Sequence, residues 1–273
     1  MEEFILANEP TLRLSVFIGL LATMGLWELL SPRRTPTFSK LRRWITNLSF
    51  SLFNSLMLRF LVPVLAVAAA TWAQSNEIGL FNQIGFLNPV EWVLTVLLLD
   101  LLIYGQHVVF HYVPVFWRLH KMHHADPDID ASTAIRFHPI EILLSMVIKL
   151  GAVVALGAAP VAVILFEIIL NGTALFNHGN VRLPLPIDRA LRSLIVTPDM
   201  HRVHHSVIVR ETNSNFGFNL STWDRFFGTY CAQPEMGHND MSIGLAEHRD
   251  DGPTKFVWSL VLPFRASREK ELP

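Results

Sequence analysis

Cysteine is almost missing from this chain: one thiol, Cys231, in 273 residues. A lone cysteine excludes an intrachain disulfide and any metal site built from thiolates. Charge is scarce too. Asp, Glu, Lys and Arg make up 16% of the residues, against about 25% in ordinary soluble domains. Apolar residues make up 51%, with a mean hydropathy of +0.36. The net charge of −1 offers no electrostatic footprint for a nucleic acid. No CxxC pair, GxGxxG turn or haem-attachment motif is present, so an electron-consuming reaction would have to draw on another protein. The N-terminus, MEEFILANEP, is acidic where a signal peptide would be basic, so the first apolar run is expected to be a retained anchor.

What is there instead is a set of long apolar runs, and they set the class: an all-α integral membrane protein. Leu12–Leu30 suits a bilayer crossing, which takes roughly 20 apolar residues. It ends at SPRRTPTFSKLRR, whose basic residues Arg33, Arg34, Lys40, Arg42 and Arg43 mark a cytoplasmic loop. A second span is expected over Trp44–Trp72. Asn47, Ser51, Asn54, Ser55 and Arg59 run along it at helical spacing, either facing other helices or lying at the membrane surface. An outer loop follows at 73–88, then a third span from Glu91 to Val113. Pro139–Asn177, interrupted by GAAP at 157–160, reads as a short helical hairpin that returns to the side it left. The expectation is therefore about three full spans plus that hairpin, with a cytoplasmic helical cap holding a histidine-rich two-metal site. The chain is read as one membrane-embedded domain, 1–273: anchor helices at 1–88, a histidine-bearing core at 89–230 and a polar tail at 231–273.

Ten of the twelve histidines fall between positions 107 and 205. His107 and His111 are four apart, so on a helix their rings share a face. The pattern HxxHH occurs twice, as His120, His123, His124 and as His201, His204, His205. Its first and fourth positions are helical neighbours, and the fifth lies about 100° round the helix. His178, in FNHGN, falls where the hairpin returns. Nine imidazoles exceed what one ion accepts, since zinc takes four ligands and octahedral ions six, but they suit two ions with positions left open. Imidazole alone does not choose among iron, zinc, copper and nickel. His138 directly precedes Pro139 and reads as a structural residue or one supporting a ligand. His238 and His248 read as solvated.

In DLLIYGQHVVFH (100–111), WRLHKMHHADPD (117–128), RFHPIE (136–141), FNHGN (176–180), TPDMHRVHHS (197–206) and NFGFNLSTWDRFFGTY (215–230), the chain resembles the membrane fatty acid hydroxylase / sterol desaturase superfamily. Within it the sterol C5-desaturase and alkylglycerol monooxygenase branches look nearest. The resemblance implies a non-haem di-iron centre with O2 as co-substrate, held by His107, His111, His120, His123, His124, His178, His201, His204 and His205. It also implies a membrane lipid substrate, hydroxylated or desaturated, and a separate electron-transfer protein. Some members carry a further histidine where this chain has Arg182, so that tenth position is absent or is filled by water or Asn180.

Breaking an unactivated C–H bond needs an oxidant that no side chain supplies, and zinc has no redox chemistry. Asp100, Asp130, Glu141 and Asp199 are candidates to accept the second N–H of ligand histidines, while Asp126 and Asp128 read as surface charge. Asp100 stands out as a charge inside an apolar span. The segment 215–227 reads either as a lid over the site or as an interfacial stretch. The competing functional classes are a metal-dependent membrane lipid hydrolase and a non-enzymatic metal- or haem-binding membrane protein. The expected setting is multi-pass in a bacterial inner membrane or the endoplasmic reticulum, with the metal site on the cytoplasmic face.

Overall fold

A computed structural model describes residues 2–62 and 64–265. Among them the chain is all-helical, with isolated backbone bridges but no strands. In order the helices are α1 (Glu2–Ala7), α2 (Glu9–Leu30), α3 (Lys40–Leu61), α4 (Ala66–Ser75), α5 (Leu80–Ile84), α6 (Asn88–Tyr112), α7 (Pro114–His124), α8 (Pro139–Leu156) and α9 (Pro160–Asn177). Shorter helices follow: α10 (Leu185–Leu191), α11 (Pro198–His204), α12 (Val209–Thr212), α13 (Thr222–Phe226), α14 (Gly237–Asp240) and α15 (Phe256–Val261). Proline opens α7, α8, α9 and α11, where its missing N–H would have had no helical partner in any case.

Five stretches are long and apolar enough to cross a membrane: Glu9–Leu30, Lys40–Ile84, Asn88–Tyr112, Pro139–Leu156 and Pro160–Asn177. The third and the first agree with the expected spans. The hairpin has two arms of 18 residues each, about 27 Å apiece at 1.5 Å per residue, close to the roughly 30 Å of a hydrocarbon core. The second stretch is not one straight helix. Its first part, α3, turns Arg43, Thr46, Asn47 and Asn54 inward, and α4 continues towards the far end of α8. Of the expected polar stripe only Asn47 and Asn54 are buried; Ser55 and Arg59 face outward.

Tertiary contacts orient the helices. At one end, Glu91 of α6 accepts the Ala159 N–H at 2.7 Å, and Gly79 packs on Gly157 so closely that a Cβ at Gly79 would lie 2.2 Å from the Gly157 nitrogen. Both glycines have positive φ, +101° and +66°, so a side chain is excluded by space and by conformation. Midway, Glu167 of α9 joins Lys149 of α8 and Arg13 of α2, with Arg13 Nη2 at 2.9 Å. At the other end meet Leu30, Lys40, Tyr112, Pro139 and Asn177, and every histidine-rich segment lies there. Residues 231–265, expected as a polar tail, fold back onto this end: Gly244 donates to His205 O at 3.0 Å and Ser259 accepts from Arg136 at 2.7 Å.

Candidate metal centre

The break between α6 and α7 builds the first half of the site. Val113 is extended and Pro114 restarts the helix, which turns His120, His123 and His124 back towards His107 and His111. On α11, His201 and His204 approach from the opposite side, with His205 as the cap residue. His178 is the cap residue of α9. The result is two buried clusters: His107, His111, His120, His124 and His204 in one, and His123, His178, His201 and His205 in the other. Within each cluster the candidate ligand nitrogens all lie within 4.8 Å of one another. All nine residues expected as ligands are brought together, and among the described residues no carboxylate joins either group.

Ring orientation is set from outside the clusters. His107 Nδ1 faces Phe216 O at 2.8 Å, His120 Nδ1 faces Glu141 Oε1 at 2.7 Å and His204 Nδ1 faces Ser214 O at 2.7 Å. His111 Nδ1 meets Asn213 Oδ1 at 3.2 Å, His123 Nδ1 meets Arg136 O at 3.1 Å and His178 Nδ1 meets Ala174 O at 2.9 Å. These oxygens accept, so each Nδ1 carries the proton and each Nε2 is left bare. Yet bare Nε2 atoms face one another at 3.1 Å in the pairs His107–His120 and His123–His178, and His201 Nε2 lies 3.1 Å from the same His178 atom. Two lone pairs at that separation repel unless a cation stands between them.

Other ring nitrogens lack any partner: His111 Nε2, His204 Nε2, His201 Nδ1 and both nitrogens of His124 and His205. A buried polar atom left unpaired costs about 1–3 kcal/mol, so this many in one place fits a donor set made for metal. Burial pushes the imidazole of His120 down to about 3 and that of His178 down to about 4. It acts the same way on His123, His124, His201, His204 and His205, helped by neighbouring imidazoles. Neutral imidazole is the ligating form.

The candidate supporting residues divide. Glu141 touches a cluster histidine directly. Asp100 instead accepts from Asn219 N and Leu220 N, both at 3.2 Å, and from Trp223 Nε1 at 2.8 Å. His138 caps α8 through Ile140 N at 3.2 Å and meets Leu260 O, also at 3.2 Å. The Asn180 side chain is taken up by the backbone of Arg34, at 3.0 and 2.8 Å, and Arg182 is exposed. Asp199 binds Arg202 and Arg33.

Two readings need correcting. Asp126 is not surface charge: it is 1% exposed, and Arg43 grips it at 2.6 and 2.8 Å. The partially buried Asp128 accepts Thr37 N and Phe38 N. His238 is buried near Asp199 rather than solvated, and His248 stands edge-on to Trp258.

Several supports went unseen in the sequence. Glu28, near the end of α2, accepts Ala131 N at 2.7 Å and Asn180 N at 2.9 Å, and so pins the loop that follows His178. Its signal was available, as a carboxylate within an apolar span. Asp224 accepts Phe216 N at 2.7 Å and Gly217 N at 2.9 Å, holding the carbonyl that His107 uses. Burial raises the Asp224 carboxyl to about 6. Segment 213–216 thus backs three rings of the larger cluster.

A model of the fatty acid hydroxylase family matches residues 92–229, just over half the chain. The chain belongs to the fatty acid hydroxylase family. This hydroxylase-family chain is 29% identical to the ornithine lipid hydroxylase OlsE of Rhizobium tropici over 191 residues, covering 67% of the chain and 55% of that protein. It is 28% identical to the alkylglycerol monooxygenase of Xenopus tropicalis and 27% identical to the human one. Each match runs over 153 residues, 54% of the chain and 32% of the relative. The chain therefore spans between about a third and just over half the length of these relatives. No solved structure matches.

Proposed function

We propose that this family member is a di-iron, O2-dependent hydroxylase of a membrane lipid. The observation that carries the reading is the set of bare Nε2 atoms pointed at one another in two adjoining clusters. One ion would be held by His107, His111, His120, His124 and His204, the other by His123, His178, His201 and His205. When bound, iron supplies the O2 activation and the C–H oxidation that side chains lack. One oxygen atom would enter the lipid as a hydroxyl and the other leave as water, with two electrons from a separate reductant protein and two protons from solvent.

The chain's own residues orient and shield. Phe216, Ser214 and Asn213 fix three rings from one side and Glu141 fixes His120 from another. All nine rings are buried, which keeps bulk water from the site. The names of the relatives, ornithine lipid hydroxylase and alkylglycerol monooxygenase, favour hydroxylation over desaturation and a lipid with a polar head. The basic loop at 31–43 favours the cytoplasmic side for this end of the bundle. A hydrolase would want a general-base carboxylate on the ligand face, and Glu141 stands behind His120 instead. A haem carrier or transporter would want its ligands near the middle of the helices, not at one end.

The test is metal analysis followed by isotope labelling. Protein purified after iron-replete expression should carry about two irons per chain. Membranes supplied with 18O2 and reductant should yield lipid bearing one 18O atom, dependent on the chain. Stoichiometric zinc without iron, or label arriving only from H2 18O, would overturn the reading.

A further inference from the structure

Beside the segment that backs the larger cluster lies a surface the histidine site does not use. Residues 182–195 run against α13: Ser221 donates to Leu194 O at 3.0 Å, Arg225 Nη2 donates to Arg192 O at 2.8 Å, and Ile195 bridges Leu220. Across that junction Leu185, Ile187, Leu194, Phe226 and Phe227 are 50–79% exposed. Soluble surfaces rarely leave such a group contiguous and bare.

The charges around it have one sign. Arg182, Arg189 and Arg225 face outward. The acids of the same segments are turned in: Asp188 pairs with Arg192 at 2.6 Å, and Asp224 is occupied by backbone N–H groups. The position of the face is fixed by a candidate span. Trp223 donates to Asp100 of α6, and the Phe227 ring stacks on Tyr104, one turn further along, at 5.3 Å. Phe227, at the edge of the apolar group, is therefore set directly against α6.

We propose that this face beds into the headgroup layer of an anionic leaflet, its apolar side chains below the phosphates and its arginines against them. Apolar and aromatic groups ringed by Arg describe an interfacial element. Guanidinium pairs well with phosphate, and cytoplasmic leaflets are the anionic ones. An acidic protein partner would satisfy the arginines but would gain nothing from the contact with α6. The inference needs only the multi-pass membrane setting and stands apart from the iron chemistry.

The experiment uses the full chain with Cys231→Ser and a single new cysteine, Phe226→Cys, carrying a bimane probe. It is placed in nanodiscs of phosphatidylcholine with or without phosphatidylglycerol. Doxyl-labelled lipid should quench the probe, more strongly with phosphatidylglycerol, while a probe at Asp251→Cys, where the native side chain is 44% exposed, stays unquenched. Adding Arg182→Glu and Arg189→Glu should abolish the phosphatidylglycerol effect and leave the quenching in phosphatidylcholine. Three results overturn the proposal: quenching at 226 no stronger than at 251, quenching indifferent to both phosphatidylglycerol and the arginines, or shielding that arises only when a soluble protein is added.

Discussion

The two histidine clusters are built from the same repeated pattern but are held from behind by different means. The five-ring cluster, His124 apart, is oriented by a side-chain carboxylate, Glu141, a side-chain amide, Asn213, and the carbonyls of Ser214 and Phe216 in the segment that Asp224 ties down. In the four-ring cluster, His123 and His178 lean only on main-chain carbonyls of Arg136 and Ala174, while His201 Nδ1 and both His205 nitrogens have no partner. Were each cluster to hold an ion with six coordination positions, the rings would leave one free in the first and two in the second. On the proposed reading the first would be the better fixed, and the second would have more room for an exogenous ligand.

That contrast can be broken most sharply at His178, which faces both His123 and His201. His178→Ala should drop iron from about two to about one per chain, with loss of hydroxylation, on ligand arithmetic; metal analysis of the purified variant checks it. Next comes Glu141→Gln, which keeps the shape and weakens only the grip on His120. Outer partners of this type are worth about 10–100-fold in metal affinity or activity. Chelator competition should show one iron released early and the other retained, and equal release of both would erase the proposed difference between the clusters.

Acid probes the pair together. Above pH 6.5 both the folded and the unfolded chain hold these imidazoles neutral. Below it the unfolded chain takes up protons first, because burial has pulled His120 to about 3 and His178 to about 4. Stability of the metal-free protein should therefore fall as pH drops from 6.5 towards those values, by up to about 1.4 kcal/mol per ring for each pH unit. Melting in detergent at pH 7.5 and 5.5 reads this directly, and an unchanged midpoint would mean the rings are not buried neutral. A smaller effect is expected at the tether. Asp224→Asn should cost on the order of 1.5–3 kcal/mol for its weakened charged hydrogen bonds, and it should loosen iron from the five-ring cluster alone. Least of all, Arg210→Ala removes an exposed pair with Glu235 and should shift the midpoint by no more than about 1 kcal/mol.

The clustering of all the rings but His178 was legible in the sequence because spacing on a helix dictates which side chains share a face. His107 with His111, and each HxxHH, needed nothing beyond 3.6 residues per turn. The spans were legible for a similar reason, apolar length, although apolar length alone did not separate α3 from α4. The supports were not legible, since a carboxylate's identity does not name its partner. Asp126, flanked by Pro127 and Asp128, looks like loop surface until Arg43, 83 residues earlier, closes over it. Asp100 was rightly singled out as an unusual charge, yet its partners lie 119–123 residues downstream. Such pairs depend on topology, which local pattern does not encode.

Glu28, Arg43 and Asn47 all precede the stretch 92–229 that defines the family. Even so, they secure the loops at 126–136 and 178–180, which carry the Arg136 carbonyl that His123 meets and His178 itself. The recognisable segment is thus not a cassette that can be excised or grafted with its chemistry intact. Its masonry is laid by helices outside its borders, and any relative with a different N-terminal architecture must brace the same arch with other stones.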